Sequence, residues 1–244
     1  MSHTPRGFHM RVAAATDSAT NTIGVTRRDE STTVLLIRHA HTSAIDDRLL
    51  CGREPGITLS RVGVFQAEEL GHTLSASCRL AAVYSSPLER ARATADAIAR
   101  HQRANLPVHV HDALIEIDFG VWTGKTFDQL DADPRWQAFN RTRATATIPG
   151  GESLWAVQAH VVATIAYLAR HHRGVTIALV SHAEIVRVAL LCYLGRSLDV
   201  SHELEIAPAS VSAISVSPNG VHVQFVNRCA AALSGRAMPR LHVK

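Results

Sequence analysis

Lysine is nearly missing from this chain. Of its 25 basic residues 23 are arginine, which leaves Lys125 and Lys244. The basic residues are scattered and form no Lys/Arg run of the kind that marks a nucleic-acid patch. The formal net charge of +4 therefore implies no nucleic-acid partner. Coding bias is enough to explain the arginine excess, although an individually placed guanidinium still matches an anion such as phosphate. Cysteine is also scarce. Cys51, Cys78, Cys192 and Cys229 lie far apart with no CxxC, which excludes a disulfide scaffold and makes a reducing cytoplasm the expected compartment. No apolar run approaches the ~18 residues of a membrane span, and the first residues lack a basic-then-apolar leader. What is present suits a globular domain: 46% apolar residues and 19% charged.

Residues 1–31 are rich in Ser, Thr, Arg and Asp without periodicity and read as a tail. A domain is expected over 32–228, with 229–244 as a loose C-terminal tail. Residues 34–37 (VLLI) and 175–180 (VTIALV) are apolar runs suited to strands buried on both faces. Shorter strands are expected at 80–84 and 108–110, and two β-rich runs, 210–217 and 221–226, flank a Pro-Asn-Gly turn. Helices are expected at 60–76, with Ser60 as cap and Val64, Ala67, Leu70 and Leu74 as the buried stripe. Others are expected from Pro87 to about Arg103 with Ser86 as cap, near 126–131 and 134–143, over 152–172 and over 183–194. This alternation predicts an α/β fold, a three-layer α/β/α sandwich around a mostly parallel sheet. In such sheets ligands sit beyond the carboxyl ends of the strands.

Five ionisable residues fall at that edge: Arg38 and His39 after the first strand, Arg90 after the second, Glu116, and His182 after 175–180. Each alone is unremarkable as a structural histidine, a solvated arginine or a surface carboxylate. Together they match a phosphoryl group. Guanidinium forks bind its oxygens, and the helix N-termini after Ser86 and His182 add N–H groups and dipole. A neutral imidazole attacks phosphorus, and neighbouring arginines keep it neutral. A carboxyl facing a bound dianion holds its proton long enough to give it to the leaving alkoxide. Fifteen histidines also raise a metal site, since His39/His41 and His109/His111 are two apart. No third-ligand spacing and no HExxH accompanies them.

The segments RHAHT, GITLSRVGVFQAEELGHTL, YSSPLERARATA, LIEIDFGVWTG and LVSHAEIVR occur in order over about 33–226. They resemble the successive signatures of the histidine phosphatase superfamily, the phosphoglycerate-mutase-like branch 1. The resemblance implies a phosphoglycerate-mutase-like fold, no metal or other cofactor, and His39 as the phosphorylated nucleophile. It makes Arg38, Arg90, His182 and the backbone of Ala183 the phosphate ligands and Glu116 the acid/base, with Asp118 the runner-up. Thr42 and Arg53 are candidate substrate contacts; for Arg53 a plain surface loop is an equal reading.

Several positions depart from the pattern. Ala40 and Ala183 replace glycines, and alanine is small enough to leave their N–H groups open to phosphate. Ile45, or Asp46, stands where an Asn is usual, and Thr123 where a Glu is. Only 66 positions separate Glu116 from His182, which leaves little for the closing insertion of a mutase. The expected activity is phosphomonoester hydrolysis of a small phosphorylated metabolite. A mutase-type phosphotransferase and a non-catalytic phospho-ligand-binding protein are the alternatives. The late hairpin offers an edge for a homodimer.

Overall fold

The computed structural model describes residues 31–103 and 106–234. In chain order it contains β1 (Thr32–Arg38), α1 (Ser43–Asp46), α2 (Arg61–Ser77), β2 (Leu80–Ser85), α3 (Glu89–His101) and β3 (Val108–Val110). There follow α4 (Phe127–Asp131), α5 (Pro134–Arg141), α6 (Leu154–His171), β4 (Thr176–Ser181), α7 (Ala183–Tyr193), β5 (Val211–Ser217), β6 (Gly220–Arg228) and α8 (Ala230–Ser234). Three-residue 3₁₀ turns at Asp112–Leu114 and Gly120–Trp122 bracket Glu116.

The six strands form one sheet in the order β3-β2-β4-β1-β5-β6. β3, β2, β4 and β1 run parallel, and the β5–β6 hairpin completes the sheet antiparallel to β1. The apolar runs account for the central position of β1 and β4. In β1, Leu35 and Ile37 enter the core cluster under α2 and α3, while Val34 and Leu36 enter the opposite cluster under α6 and α7. In β4, Ala178 and Val180 face the first cluster, and Ile177 and Leu179 the second. A strand that buries both pleats can sit only between neighbours and between layers. The result is the expected α/β/α arrangement. Among the described residues no helix is long and apolar enough to cross a membrane.

In-register parallel pairing of β1 with β4 sets Arg38 opposite Ser181, and the His39 N–H donates to the Ser181 carbonyl at 2.8 Å. Both strands therefore deliver their next residue, His39 and His182, to the same edge.

Three expectations need correction, and a fourth feature was not expected. Helix α2 is capped by Ser60, which accepts from the Gly63 N–H, but its buried face runs through Gly63, Ala67, Leu70, Gly71 and Leu74, and Val64 is exposed. The helix rests so closely on the loop after β1 that a Cβ on Gly63 would lie 1.9 Å from the His41 carbonyl oxygen. The contact face turns toward the glycine and carries Val64 outward. Second, α3 begins at Glu89 with Leu88 at the cap position; the Ser86 hydroxyl reaches only the Leu88 N–H ahead of the helix, at 3.3 Å, and lies 2.7 Å from His182 Nε2. Third, residues 230–234, read as loose tail, form α8, which packs on α2 and buries Leu233. Fourth, a 3₁₀ stretch at Leu198–Glu203 had no expected counterpart. The tail readings for 1–30 and 235–244 lie outside the described residues.

Candidate active site

The carboxyl ends of β1, β2 and β4 open into a cavity of about 360 Å³, within the usual range for a small-molecule site. Arg38, His39, Arg90, Glu116, Thr42 and Ala183 all line it, and His182 is buried just beneath. The five ionisable residues singled out in the sequence are thus brought together.

The His39 ring is buried and its Nδ1 lies 2.8 Å from the Ala40 carbonyl oxygen. A carbonyl only accepts, so Nδ1 carries the proton and Nε2 of the neutral ring presents a bare lone pair. Burial is the largest cause holding His39 in that neutral form, and the Arg38 and Arg90 charges add to it. Its pKa falls to about 3. The His182 ring centroid lies 5.2 Å away, nearly edge-on. His182 Nε2 is 2.7 Å from the Ser86 Oγ, which also accepts from the Leu88 N–H. Burial, then His39 and the two arginines, hold His182 well below the usual imidazole range.

The two arginines are anchored by one nitrogen each. Arg38 Nη1 donates to the Ile206 carbonyl and Arg90 Nη2 to the Gly52 carbonyl, both at 2.7 Å. Arg38 Nε, Arg90 Nη1 and His182 Nδ1 are buried without a protein hydrogen-bond partner. A buried donor left unpaired costs roughly 1–3 kcal/mol. Two such guanidinium donors on the cavity wall, with the unpartnered His182 Nδ1 buried behind them, mark a place suited to an anion. Ala183 opens α7 there, so the N-terminal end of that helix faces the same cavity.

Glu116 is buried between the two 3₁₀ turns, and its Oε1 accepts from the Ile117 N–H at 3.0 Å. Burial first, and then the nearby Glu184 carboxylate, push its pKa up to about 7; Arg90 and Arg38 pull the other way. It is a carboxyl that still holds a proton near neutrality.

Other candidates fall elsewhere. Arg53 is absent from the cavity lining: its Nε donates to the Glu116 carbonyl and its Nη2 to Glu152, both at 2.7 Å. It braces the acid's loop. Asp118, the runner-up acid, accepts from the Gly120 N–H at 2.8 Å and is also off the lining. The Ala40 N–H, expected to face phosphate, donates to Thr94 Oγ1 at 3.0 Å. Ile45 lines the cavity, whereas Asp46 holds His41 Nε2. Thr123 sets its hydroxyl against Gly52, whose carbonyl anchors Arg90.

Sequence reasoning missed Ser86 as the His182 partner, Thr94 and Glu184. Thr94 joins the Ala40 N–H to the Arg90 carbonyl one helical turn back, and the spacing of four from Arg90 was its only signal. Glu184, next to Ala183, lines the cavity and is neutralised by Arg187 Nη1, with Arg143 Nη1 at 3.4 Å. An acid placed there against the anion-binding trend was visible in SHAEIVR.

Comparison with known proteins identifies the family. A family model described as the histidine phosphatase superfamily (branch 1) matches residues 34–228. The chain is 34% identical to the "Bifunctional protein Rv2228c" of Mycobacterium tuberculosis over 88% of its own length and 58% of that protein. It thus spans under two thirds of the curated relatives it matches first. It is 31% identical to Phosphoserine phosphatase 1 of Hydrogenobacter thermophilus, over 74% of this chain and 85% of that one. Among solved structures, the Entamoeba histolytica phosphoserine phosphatase in complex with 3-phosphoglyceric acid superposes with a TM-score of 0.73. It shares 25% identity, over 81% of this chain and 97% of that chain.

Proposed function

The chain belongs to the histidine phosphatase superfamily, and on that premise we propose that it hydrolyses small phosphomonoesters through a phosphohistidine at His39. The observation that carries this is a neutral imidazole with Nε2 bare, sharing one cavity with two singly anchored guanidiniums and a protonated carboxyl.

Nε2 attacks phosphorus while the ester oxygen departs with the Glu116 proton. Arg38 Nε, Arg90 Nη1, His182 Nδ1 and the Ala183 N–H receive the phosphoryl oxygens, offsetting the charge that spreads over them. A Ser86 hydroxyl donating to His182 Nε2 puts that ring's proton on Nδ1, where an oxygen accepts it. Water then cleaves the P–N bond, returning its proton to the Glu116 carboxylate and the phosphate to solution. Thr42 bounds the site beside the nucleophile. Water rather than a second substrate is favoured because the 116–182 segment has no chain to spare. Its α5 aromatics Trp136 and Phe139 pack on Trp122, Phe127 of α4 packs on Trp136, and α6 lies on the sheet. Four free cysteines fit action in a reducing cytoplasm.

The guanidiniums supply the positive charge, so turnover of p-nitrophenyl phosphate is expected to be indifferent to EDTA and to vanish in His39→Ala. Loss of activity with chelator, restored by a divalent metal, contradicts the metal-free reading. Turnover that persists without His39 contradicts the nucleophile.

A further inference from the structure

The phosphate end of the cavity uses only part of its wall. The remainder comes from the loop after β1 and from the segment entering α4, which are zipped together. Leu49 bridges Thr126, Leu50 N–H donates to Lys125 O, Gly124 N–H to Leu50 O, and Phe127 N–H to Arg48 O. Those four backbone links fix a two-stranded wall, and Leu49, Leu50 and Phe127 from it line the cavity together with Ile45 of α1 and Phe119. None of these side chains carries a hydrogen-bonding group.

The buried charged groups nearby are largely engaged with each other. Arg187 donates from Nη1 to Glu184 and from Nε to the Leu204 carbonyl. Arg48 also lines the cavity, at its solvent side: its side chain is 63% exposed, 3.6 Å from the exposed Asp128 and 5.9 Å from the Phe127 ring centroid. Glu184 holds one buried carboxylate oxygen with no protein donor. Against this wall a substrate carboxylate meets mainly apolar carbon, with the Arg187 charge already shared with Glu184 and Arg48 out at the solvent rim, whereas a hydrocarbon group meets surface that gains by leaving water.

Resting on the phosphatase reading, we propose that the site selects phosphomonoesters of apolar, ring-sized alcohols, with the Ile45–Leu49–Leu50–Phe119–Phe127 wall receiving the alcohol. Substrates of the phosphoserine or phosphoglycerate type, whose alcohols carry a carboxylate, are disfavoured. Ile45 is central: of the two positions that could stand for the amide of the resembled pattern, it is the one that lines the cavity, while Asp46 holds His41.

The test compares benzyl phosphate with O-phosphoserine and 3-phosphoglycerate. Benzyl alcohol is no better a leaving group than the other two, so a preference for it reports binding of the ring. Expected is a kcat/KM for benzyl phosphate about tenfold or more above both. Ile45→Asn and Leu49→Asn should each narrow that ratio several-fold, chiefly through KM. Calorimetry with benzylphosphonate against phosphonoacetate separates this proposal from the phosphatase reading, because it needs no turnover. Tighter benzylphosphonate binding, weakened by Ile45→Asn, supports the apolar wall even if no ester is hydrolysed, an outcome that removes the phosphatase reading alone. Preference for O-phosphoserine or 3-phosphoglycerate, tighter phosphonoacetate binding, or equal losses on all ligands in both Asn variants overturns the proposal.

Discussion

His39 and Glu116 are tuned in opposite directions by one environment. Burial disfavours charge on both, which takes the imidazole down to about 3 and the carboxyl up to about 7. The nucleophile needs to be unprotonated and is so at every ordinary pH, so His39 contributes no acidic limb above about pH 4. The acid needs its proton, and activity falls as pH rises through about 7. In Glu116→Gln, kcat/KM on a poor leaving group such as benzyl phosphate should drop by roughly 10²–10⁴-fold and the alkaline limb should disappear. On p-nitrophenyl phosphate, whose leaving group needs little help, the loss should be smaller. Asp118→Asn should keep the limb; if the limb vanishes there instead, the acid is Asp118. Arg38, His39, Arg90 and His182 were legible because each ends or follows a strand or opens a helix at one predictable edge, whereas Glu116, in a loop between two 3₁₀ turns, was legible only from its motif. Arg53 was not, because its fate depends on Glu152, 99 positions away and brought near only by the fold.

Helix α2 shows how an element is legible in extent and illegible in phase. Its Ser60 cap and apolar spacing mark where it lies. Its rotation is set by Gly63 and Gly71, whose missing Cβ atoms admit the His41 and Ala97 carbonyls. A pattern of apolar side chains does not register a contact made by the absence of one. Gly63→Ala should therefore push α2 off the nucleophile loop, lowering stability by about 1–3 kcal/mol and reducing kcat. Val64→Ala, on the exposed face, should change stability by less than about 0.5 kcal/mol. Urea denaturation with phosphatase assays distinguishes the two, and equal effects contradict the assigned phase. The strands were easier to read. The double-sided burial of β1 and β4 leaves a run of apolar residues with no alternation to misplace.

Over the whole molecule, the site is held at a cost to stability. A carboxyl whose folded pKa is raised contributes stability in full below its ordinary value, lost as pH rises through the folded value. For Glu116 that window runs from about 4.5 to about 7 and amounts to roughly 3 kcal/mol at its far side. Glu116→Gln should melt several degrees above the parent at pH 8 and close to it at pH 5. A variant less stable than the parent at pH 8 contradicts the buried, proton-holding carboxyl. Orthophosphate or vanadate, accepted by the unpaired donors, should raise the parent's melting temperature with ligand concentration.

The most direct test of the account is to trap the intermediate. A ³²P-labelled phosphomonoester is mixed with the protein and quenched in alkali within milliseconds, and the labelled peptide is mapped. The account predicts label that is stable to base, lost in acid and attached to Nε2 of His39. Label on another residue or on Nδ1, or steady turnover of labelled p-nitrophenyl phosphate by Glu116→Gln with no trapped phosphohistidine, contradicts it, because that leaving group needs little acid help while water attack is slowed.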